Sequence, residues 1–214
     1  QTEKQKSLLR DEYGLDARVI RMPCAGFKKT TEQNYTDVNN NKKHILWAGR
    51  FTPEKRLEYF LELAKHFPEM IFDVIGDYNF ERDTSYADRM KEIAEPLDNV
   101  VLHGRVPHEK MGEYFNRSYL LCSTSLYEGF PNIYLEAWSV GLPLVTTFDP
   151  DGVVKRYGMG RTATDVCSLQ TALKELMVEA IWRETRERAK SYYLNNHTVD
   201  ASMHEFEKEV TSFV

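Results

Sequence analysis

The chain has 214 residues, of which 42% are hydrophobic, so it can bury the core of one good-sized domain or at most two small ones. Its net charge of −5 argues against nucleic acid as the main partner. No apolar run approaches the roughly 18 residues needed to cross a bilayer, and the polar start is not a signal peptide. Cys24, Cys122 and Cys167 are too scattered for a disulfide framework or a metal site, which predicts reduced packing residues in a cytoplasmic protein.

Strand and helix signals alternate along most of the chain. After a charged, helix-prone start, a strand is predicted at Arg18–Met22, followed by a polar connector at residues 28–43. Such alternation predicts βαβ units with right-handed crossovers, and therefore an α/β fold in which helices cover both faces of a parallel sheet. The later predicted strands are 44–48, 71–75, 100–102, 119–122 and 144–147, and the predicted helices are 54–66, 85–95, 108–116, 132–140, 169–179, 181–194 and 201–213.

Two predicted helices carry clear apolar stripes. In the last helix Met203, Phe206 and Val210 share one face, which packs either on this domain or on something outside the chain. The first helix after the connector has core spacing at Leu57, Phe60, Leu61 and Ala64.

The turn after the first of these later strands has the residues of a phosphate site. Gly49 permits close backbone approach, and the Arg50 guanidinium is a rigid fork of donors that suits phosphate oxygens. Lys55 falls in the first turn of the next predicted helix, where the helix dipole disfavours a cation unless an anion binds there. The alternative is that Lys55 pairs with Glu54 or Glu58 on a solvated face.

A second turn, from Glu128 to Glu136, joins two strand-like runs. One carboxylate lies in a Gly/Pro turn and the other about one turn into a helix predicted to begin with Asn132 as N-cap. The amides of residues 133–135 would then face an anion, while the carboxylates accept hydrogen bonds from sugar hydroxyls. Either glutamate alone is more often a solvated surface residue. Their place after a buried strand favours a pocket for a sugar linked to phosphate.

The turn at residues 103–107 is a weaker third candidate, where a nucleobase can lie against Val106. Gly and Pro after a strand more often make only a turn. The remaining histidines, His108 among them, show no ligand spacing and no Ser/Asp or Cys partner, so surface or packing roles are predicted for them.

Taken together, these turns resemble the carboxy-terminal half of glycosyltransferases of the GT4 family (glycosyl transferases group 1). The chain departs from that family at Gly76-Asp77-Tyr78, in place of Gly-x-Gly, and at Asp149–Val153, in place of Gly-Gly-x-x-Glu. No particular donor sugar is therefore predicted. The matching motifs, in family order from about Ile20 onward, are Gly49-Arg50-x4-Lys55, the Gly turn after Ile75, Leu102-His103-Gly104-x-Val106, and Glu128-x7-Glu136 with Gly141-Leu-Pro143.

The resemblance implies a doubly wound, Rossmann-like parallel sheet that forms the C-terminal half of a GT-B fold, with two such domains facing across a cleft. Residues 1–19 would be a linker or the tail of an N-terminal acceptor domain. Residues 20–196 would bind the nucleotide sugar, and residues 197–214 would form a helix that docks on the other domain. The implied reaction transfers a hexose with retention of configuration, without a metal or other cofactor, and the fragment alone is not expected to turn over.

The resemblance also implies a role for each motif residue. Arg50 and Lys55 would hold the diphosphate and stabilise the leaving group, and Glu128 would contact the donor sugar; these three are the expected catalytic residues. Glu136 would bind the ribose and Val106 would flank the base. The other expected donor-binding residues are Gly49, Gly129, Phe130, Pro131, Asn132 and Ile133.

The implied acceptor is a sugar or a lipid-linked sugar, held by the N-terminal domain in polysaccharide or glycolipid biosynthesis. The full-length protein would then work in the cytoplasm or peripherally at the inner face of the cell membrane. Two alternatives stay open: a non-catalytic Rossmann-like binding module, and a sugar epimerase or phosphorylase of GT-B architecture. A dinucleotide oxidoreductase is disfavoured, because no Gly-x-Gly-x-x-Gly follows the first strand.

Overall fold

A computed structural model describes residues 2–28, 42–77 and 84–211. The described part alternates strands and helices after a short N-terminal helix and ends in three consecutive helices. The strands are β1 His44–Ala48, β2 Ile71–Ile75, β3 Val100–Gly104, β4 Leu120–Ser123, β5 Leu144–Thr146 and β6 Gly160–Thr162. The helices are α1 Glu3–Tyr13, α2 Leu57–Lys65, α3 Ser85–Ala94, α4 His108–Arg117, α5 Asn132–Ser139, α6 Val153–Tyr157, α7 Val166–Leu176, α8 Glu179–Asn196 and α9 Val199–Thr211.

The strands form one parallel sheet in the order β3-β2-β1-β4-β5-β6. Strand order reverses between β1 and β4, so the loops that follow these two strands diverge to opposite faces of the sheet and leave a crevice between them. The predicted doubly wound, Rossmann-like sheet, the C-terminal half of a GT-B fold, is therefore confirmed. The crevice lies at the carboxyl ends of the strands, where the predicted binding turns are found.

Alternate residues of the central strands supply two hydrophobic cores, one on each face. Ile45 and Trp47 of β1 face one core, and Leu46 faces the other. The predicted apolar face of the first helix after the connector is confirmed, because each of its residues is 0% exposed: Leu57, Phe60, Leu61 and Ala64.

The strand predicted at Arg18–Met22 is wrong, since residues 14–28 contain no strand. Charged side chains bind this segment to α9 instead: Arg18 pairs with Glu209 at 3.0 Å and Arg21 with Glu205 at 3.0 Å. The sixth strand is β6, which was not predicted because Gly-Arg-Thr has no apolar run.

Further predictions need correction at element ends. The helix predicted from Glu54 begins at Leu57, because Pro53–Lys55 is a 3-10 turn and Arg56 is left-handed, with φ of 47°. Helix α6 was not predicted.

The cysteines follow the prediction in part. Cys122 is buried as expected, but Cys167 is exposed, so a packing role for Cys167 is wrong.

The apolar stripe of the C-terminal helix is only partly covered. Met203, Phe206 and Val210 are each about half exposed.

The division of the chain into segments 1–19, 20–196 and 197–214 stays a prediction. Residues 29–41, most of the predicted connector, lie outside the described residues, and so do residues 78–83, which include the end of the Gly76-Asp77-Tyr78 departure. Within the described residues, no helix is both long and apolar enough to cross a bilayer.

Candidate functional site

A cavity of about 710 Å³ opens at the carboxyl ends of β1, β2, β3 and β4. Arg50 and Lys55 reach it from the β1–α2 loop, and Glu128 and Glu136 from the other side of the switch point. Residues predicted from three separate turns therefore meet in one crevice. Those that line it are Gly49, Arg50, Lys55, Val106, Glu128, Pro131, Asn132, Ile133 and Glu136.

Two glycines let the chain close the floor of the cavity. The Gly49 amide donates to the carbonyl of Ile75 at 3.0 Å, and Phe51 donates to that of Asp77 at 3.1 Å. Gly76 has φ of 129°, and a Cβ on it would lie 1.8 Å from the Gly49 carbonyl oxygen. Only glycine fits where β1 and β2 come this close together. The floor of the cavity therefore depends on Gly76.

Lys55 and Glu128 form an ion pair at the edge of the cavity. Glu128 also accepts a hydrogen bond from Ser125 Oγ at 2.7 Å. The alternative that Lys55 pairs with Glu54 or Glu58 is wrong; its partner comes from the loop after β4. Both side chains are only partly exposed, so the pair joins the two halves of the site.

Arg50 is exposed at the mouth of the same cavity. Within residues 2–28, 42–77 and 84–211, no acidic side chain forms an ion pair with its guanidinium. A phosphate group would supply the acceptors that this fork of donors lacks.

Arg56, which the sequence did not single out, ties the two loops together. Its Nε donates to the carbonyl of Thr124 at 2.8 Å, and one terminal nitrogen donates to the Thr147 hydroxyl at 2.8 Å and the Ser125 carbonyl at 3.3 Å. The Thr124 hydroxyl returns a hydrogen bond to the Lys55 carbonyl at 2.7 Å. Arg56 thus fixes the loop of Glu128 relative to Lys55.

Because the backbone of Arg56 is left-handed, we expect a glycine at this position to be more stable than a lysine. Arg56→Lys keeps the charge and the backbone strain but loses the fork of donors, so we expect it to lose about 2 kcal/mol of free energy of unfolding. Arg56→Gly loses the contacts and the charge together, but it relieves about 1 kcal/mol of left-handed strain, and we expect it to be the more stable variant. Urea denaturation measures the difference; a more stable lysine variant would contradict this role.

Helix α5 directs its N-terminus at the cavity. Asn132 is its first helical residue and Pro131 the cap, so the prediction of Asn132 as N-cap is wrong by one position. The Tyr134 amide donates to the Pro131 carbonyl at 3.1 Å. Of the three amides predicted to be free, that of Tyr134 therefore has a backbone acceptor, whereas for the amides of Asn132 and Ile133 the described residues show none.

The buried Tyr134 hydroxyl holds this first turn in place. It bonds to Thr146 Oγ1 at 2.5 Å and to the carbonyl of Phe148 at 3.0 Å. Burial raises the pKa of Tyr134, so its phenol stays protonated and can donate. Strand β5 and the loop after it thereby position the helix end that faces the cavity.

Glu136 lies on the cavity wall with its carboxylate 18% exposed. Its Oε1 accepts a hydrogen bond from His108 Nε2 at 3.0 Å. His108 is a surface residue as predicted, with 70% of its side chain exposed, and its ring also contacts this carboxylate of the cavity wall. Val106, two residues earlier, lines the same cavity.

Two predicted site residues lie outside the main cavity. Gly129 lines an adjoining cleft of about 310 Å³, shared with Arg50, Lys55 and Glu128. The Phe130 ring packs against His197, with 5.4 Å between ring centroids. The donor-binding roles of Gly129 and Phe130 stay predictions.

Acidic and basic side chains are balanced around the cavity, with Arg50, Lys55 and Arg105 facing Asp77, Glu128 and Glu136. Such a mixture suits a ligand with both an anionic part and hydroxyl groups. In the part of the chain that the structure describes, no group of three or more His, Cys, Asp or Glu residues could hold a metal ion.

The family model for glycosyl transferases group 1 matches residues 28–192, most of the chain. This protein therefore belongs to the glycosyl transferases group 1 family, as the resemblance implied. A curated relative, the mannosylfructose-phosphate synthase of Agrobacterium fabrum, is 26% identical over 180 residues, which cover 76% of this chain and 39% of the relative.

Solved structures share the fold. The sucrose-phosphate synthase of Thermosynechococcus elongatus matches with a TM-score of 0.83 at 17% identity, over 100% of this chain and 58% of that one. The pneumococcal O-GlcNAc transferase GtfA in complex with UDP and GlcNAc matches with a TM-score of 0.72 at 17% identity, over 99% of this chain and 44% of that one. The chain thus spans less than two thirds of the length of each of these relatives.

Proposed function

We propose that the chain is the nucleotide-sugar-binding domain of a retaining glycosyltransferase. The convergence of cations, helix amides and carboxylates in one crevice at the switch point carries this proposal. Arg50 and Lys55 provide positive charge, and the α5 amides of Asn132 and Ile133 provide fixed donors. Family membership supports the reaction class.

The chemistry follows from where charge develops. As the sugar leaves its nucleotide, negative charge grows on the diphosphate, and Arg50, Lys55 and the end of α5 stabilise it in a preorganised site. Glu128 accepts hydrogen bonds from the donor sugar, and Glu136 from the ribose. Removal of either cation is expected to cost about 2–4 kcal/mol of transition-state stabilisation in the full-length enzyme.

The acceptor belongs to the same proposal. We infer that a sugar or lipid-linked acceptor binds in a second domain, in polysaccharide or glycolipid biosynthesis, with any membrane contact made by the full-length protein. No metal and no further cofactor is assigned to the reaction. UDP is the first nucleotide to test, because a structural relative was solved in complex with it.

Calorimetric titration of the chain with UDP, GDP and ADP tests the proposal. One of the three is expected to bind. Arg50→Ala should lower the affinity for that nucleotide by about tenfold or more, since it removes a hydrogen-bonded charge pair. Arg183→Ala is the matched control: this arginine is exposed on α8 and paired with Glu179. The proposal fails if a folded chain binds none of them, or if both variants bind equally well.

A further inference from the structure

We propose that His108 is a positioning residue for ribose recognition, holding the Glu136 carboxylate so that it accepts both hydroxyls of a vicinal diol. This inference rests on the proposed function and assigns a residue to the ribose side of the site. Within it, His108 acts through Glu136.

The contact joins two elements of the cavity wall. His108 is the first residue of α4, and only Pro107 separates it from Arg105 and Val106, which line the cavity. Its Nε2 donates to Glu136 Oε1 at 3.0 Å. The His108 side chain is 70% exposed, whereas the Glu136 side chain that it meets is 18% exposed. An exposed ring thus bonds to a mostly covered carboxylate that the cavity still reaches.

The ring is held from behind by an aromatic stack. The Phe27 and His108 ring centroids are 5.2 Å apart, and Phe27 also stacks on Phe115 at 5.3 Å. Gly112 of α4 leaves room for this, because a Cβ there would come within 3.1 Å of the Phe27 ring. Phe27 therefore contacts one side of the His108 ring before any ligand binds.

The same stack is connected to the helix of Glu136. The Phe27 amide donates to Ser139 Oγ at 2.9 Å, and that hydroxyl donates to the Glu136 carbonyl at 2.6 Å. Both ends of the His108–Glu136 contact thereby depend on one packed unit. The carboxylate is preorganised by its surroundings and not only by its own rotamer preference.

Carboxylate chemistry explains what the preorganisation achieves. The two oxygens of Glu136 have about four lone-pair directions, and His108 uses one of them. The rest can accept two hydroxyl donors from adjacent carbons. An unheld glutamate would lose rotamer freedom on binding and so weaken the diol contact. His108 should therefore increase affinity for a ribonucleotide much more than for a deoxyribonucleotide.

A two-by-two comparison measures this coupling. The chain and its His108→Ala variant are titrated with whichever of UDP, GDP and ADP binds, and with the 2′-deoxy form of that nucleotide. We expect His108→Ala to lower the affinity for the ribonucleotide by about five- to tenfold and the affinity for the deoxy form by less than about twofold. His108→Gln keeps an N–H donor and should recover most of the loss. His66→Ala, at an exposed histidine near Glu62 on α2, should change neither affinity.

The outcomes separate this inference from the proposed function. Equal losses for both nucleotides, or no loss for either, overturn the role of His108 while nucleotide binding stands. No rescue by His108→Gln also contradicts a hydrogen-bonding role. If the unmodified chain binds none of the nucleotides, both proposals fail together.

Discussion

Gly76→Ala is expected to lose more than about 4 kcal/mol of free energy of unfolding, because the new methyl group meets backbone that cannot give way. The added Cβ would lie 1.8 Å from the Gly49 carbonyl oxygen. The Gly49 amide is itself fixed to the Ile75 carbonyl, and the Gly76 amide to the Gly104 carbonyl. Relief of the clash would therefore separate β1 from β2 at the floor of the cavity. Urea denaturation gives the size of the loss.

Gly104→Ala is the control for this clash. Gly104 also has positive φ, 65°, but a Cβ there would have nothing within 4 Å. Only the left-handed strain of an alanine remains, at about 1–2 kcal/mol. Similar losses for the two variants would show that the close approach of Gly49 to Gly76 is not what the site depends on.

Asp73→Asn is expected to lose about 3 kcal/mol of free energy of unfolding at pH 7, because it removes the buried carboxylate on which three side chains converge. The Asp73 carboxylate is 1% exposed on β2. It accepts hydrogen bonds from His44 Nδ1 at 2.6 Å, His103 Nε2 at 2.5 Å and an Arg117 terminal nitrogen at 2.9 Å. These contacts tie both neighbouring strands and α4 to β2.

The pH dependence of this loss has a defined direction. Burial alone would raise the pKa of Asp73, but hydrogen bonds from His44 and His103 and the charge of Arg117 bring it below its ordinary value. A carboxylate whose pKa is lowered by folding stabilises the fold above its unfolded pKa of about 3.9, and loses that stabilisation as pH falls through the folded pKa. The difference between wild type and Asp73→Asn should therefore shrink below about pH 4.

Denaturation at pH 7 and pH 3 measures the difference above the unfolded pKa of Asp73 and below it. Asp98→Asn serves as the control, since Asp98 is exposed at the end of the α3–β3 loop and should change the stability little. A difference for Asp73→Asn that stays constant or grows on acidification would contradict the account of the cluster.

Much of the fold could be predicted because buried parallel strands are short apolar runs. His44–Ala48 and Ile71–Ile75 begin and end as predicted. The strand Gly160–Thr162 could not be predicted, because it pairs at the sheet edge through its backbone and has no apolar side chain. Arg18–Met22 has the composition of a strand, but its arginines pair with α9.

The site was predictable to the extent that it depends on strand ends. Arg50 and Glu128 follow strands that are neighbours in the sheet, so parallel topology alone brings them to one edge. Arg56 and His108 were missed because each acts through a contact with a residue far along the chain. Their neighbours in sequence give no signal of a left-handed backbone or of an aromatic stack.

A crystal structure of the chain with a bound nucleoside diphosphate, UDP first, tests the central claim most directly. The diphosphate should lie within hydrogen-bond distance of the Arg50 guanidinium and the amides of Asn132 and Ile133, with the ribose hydroxyls on Glu136. A nucleotide bound elsewhere, for example in the groove beside α8 lined by Arg183, Arg186 and Lys190, would contradict it.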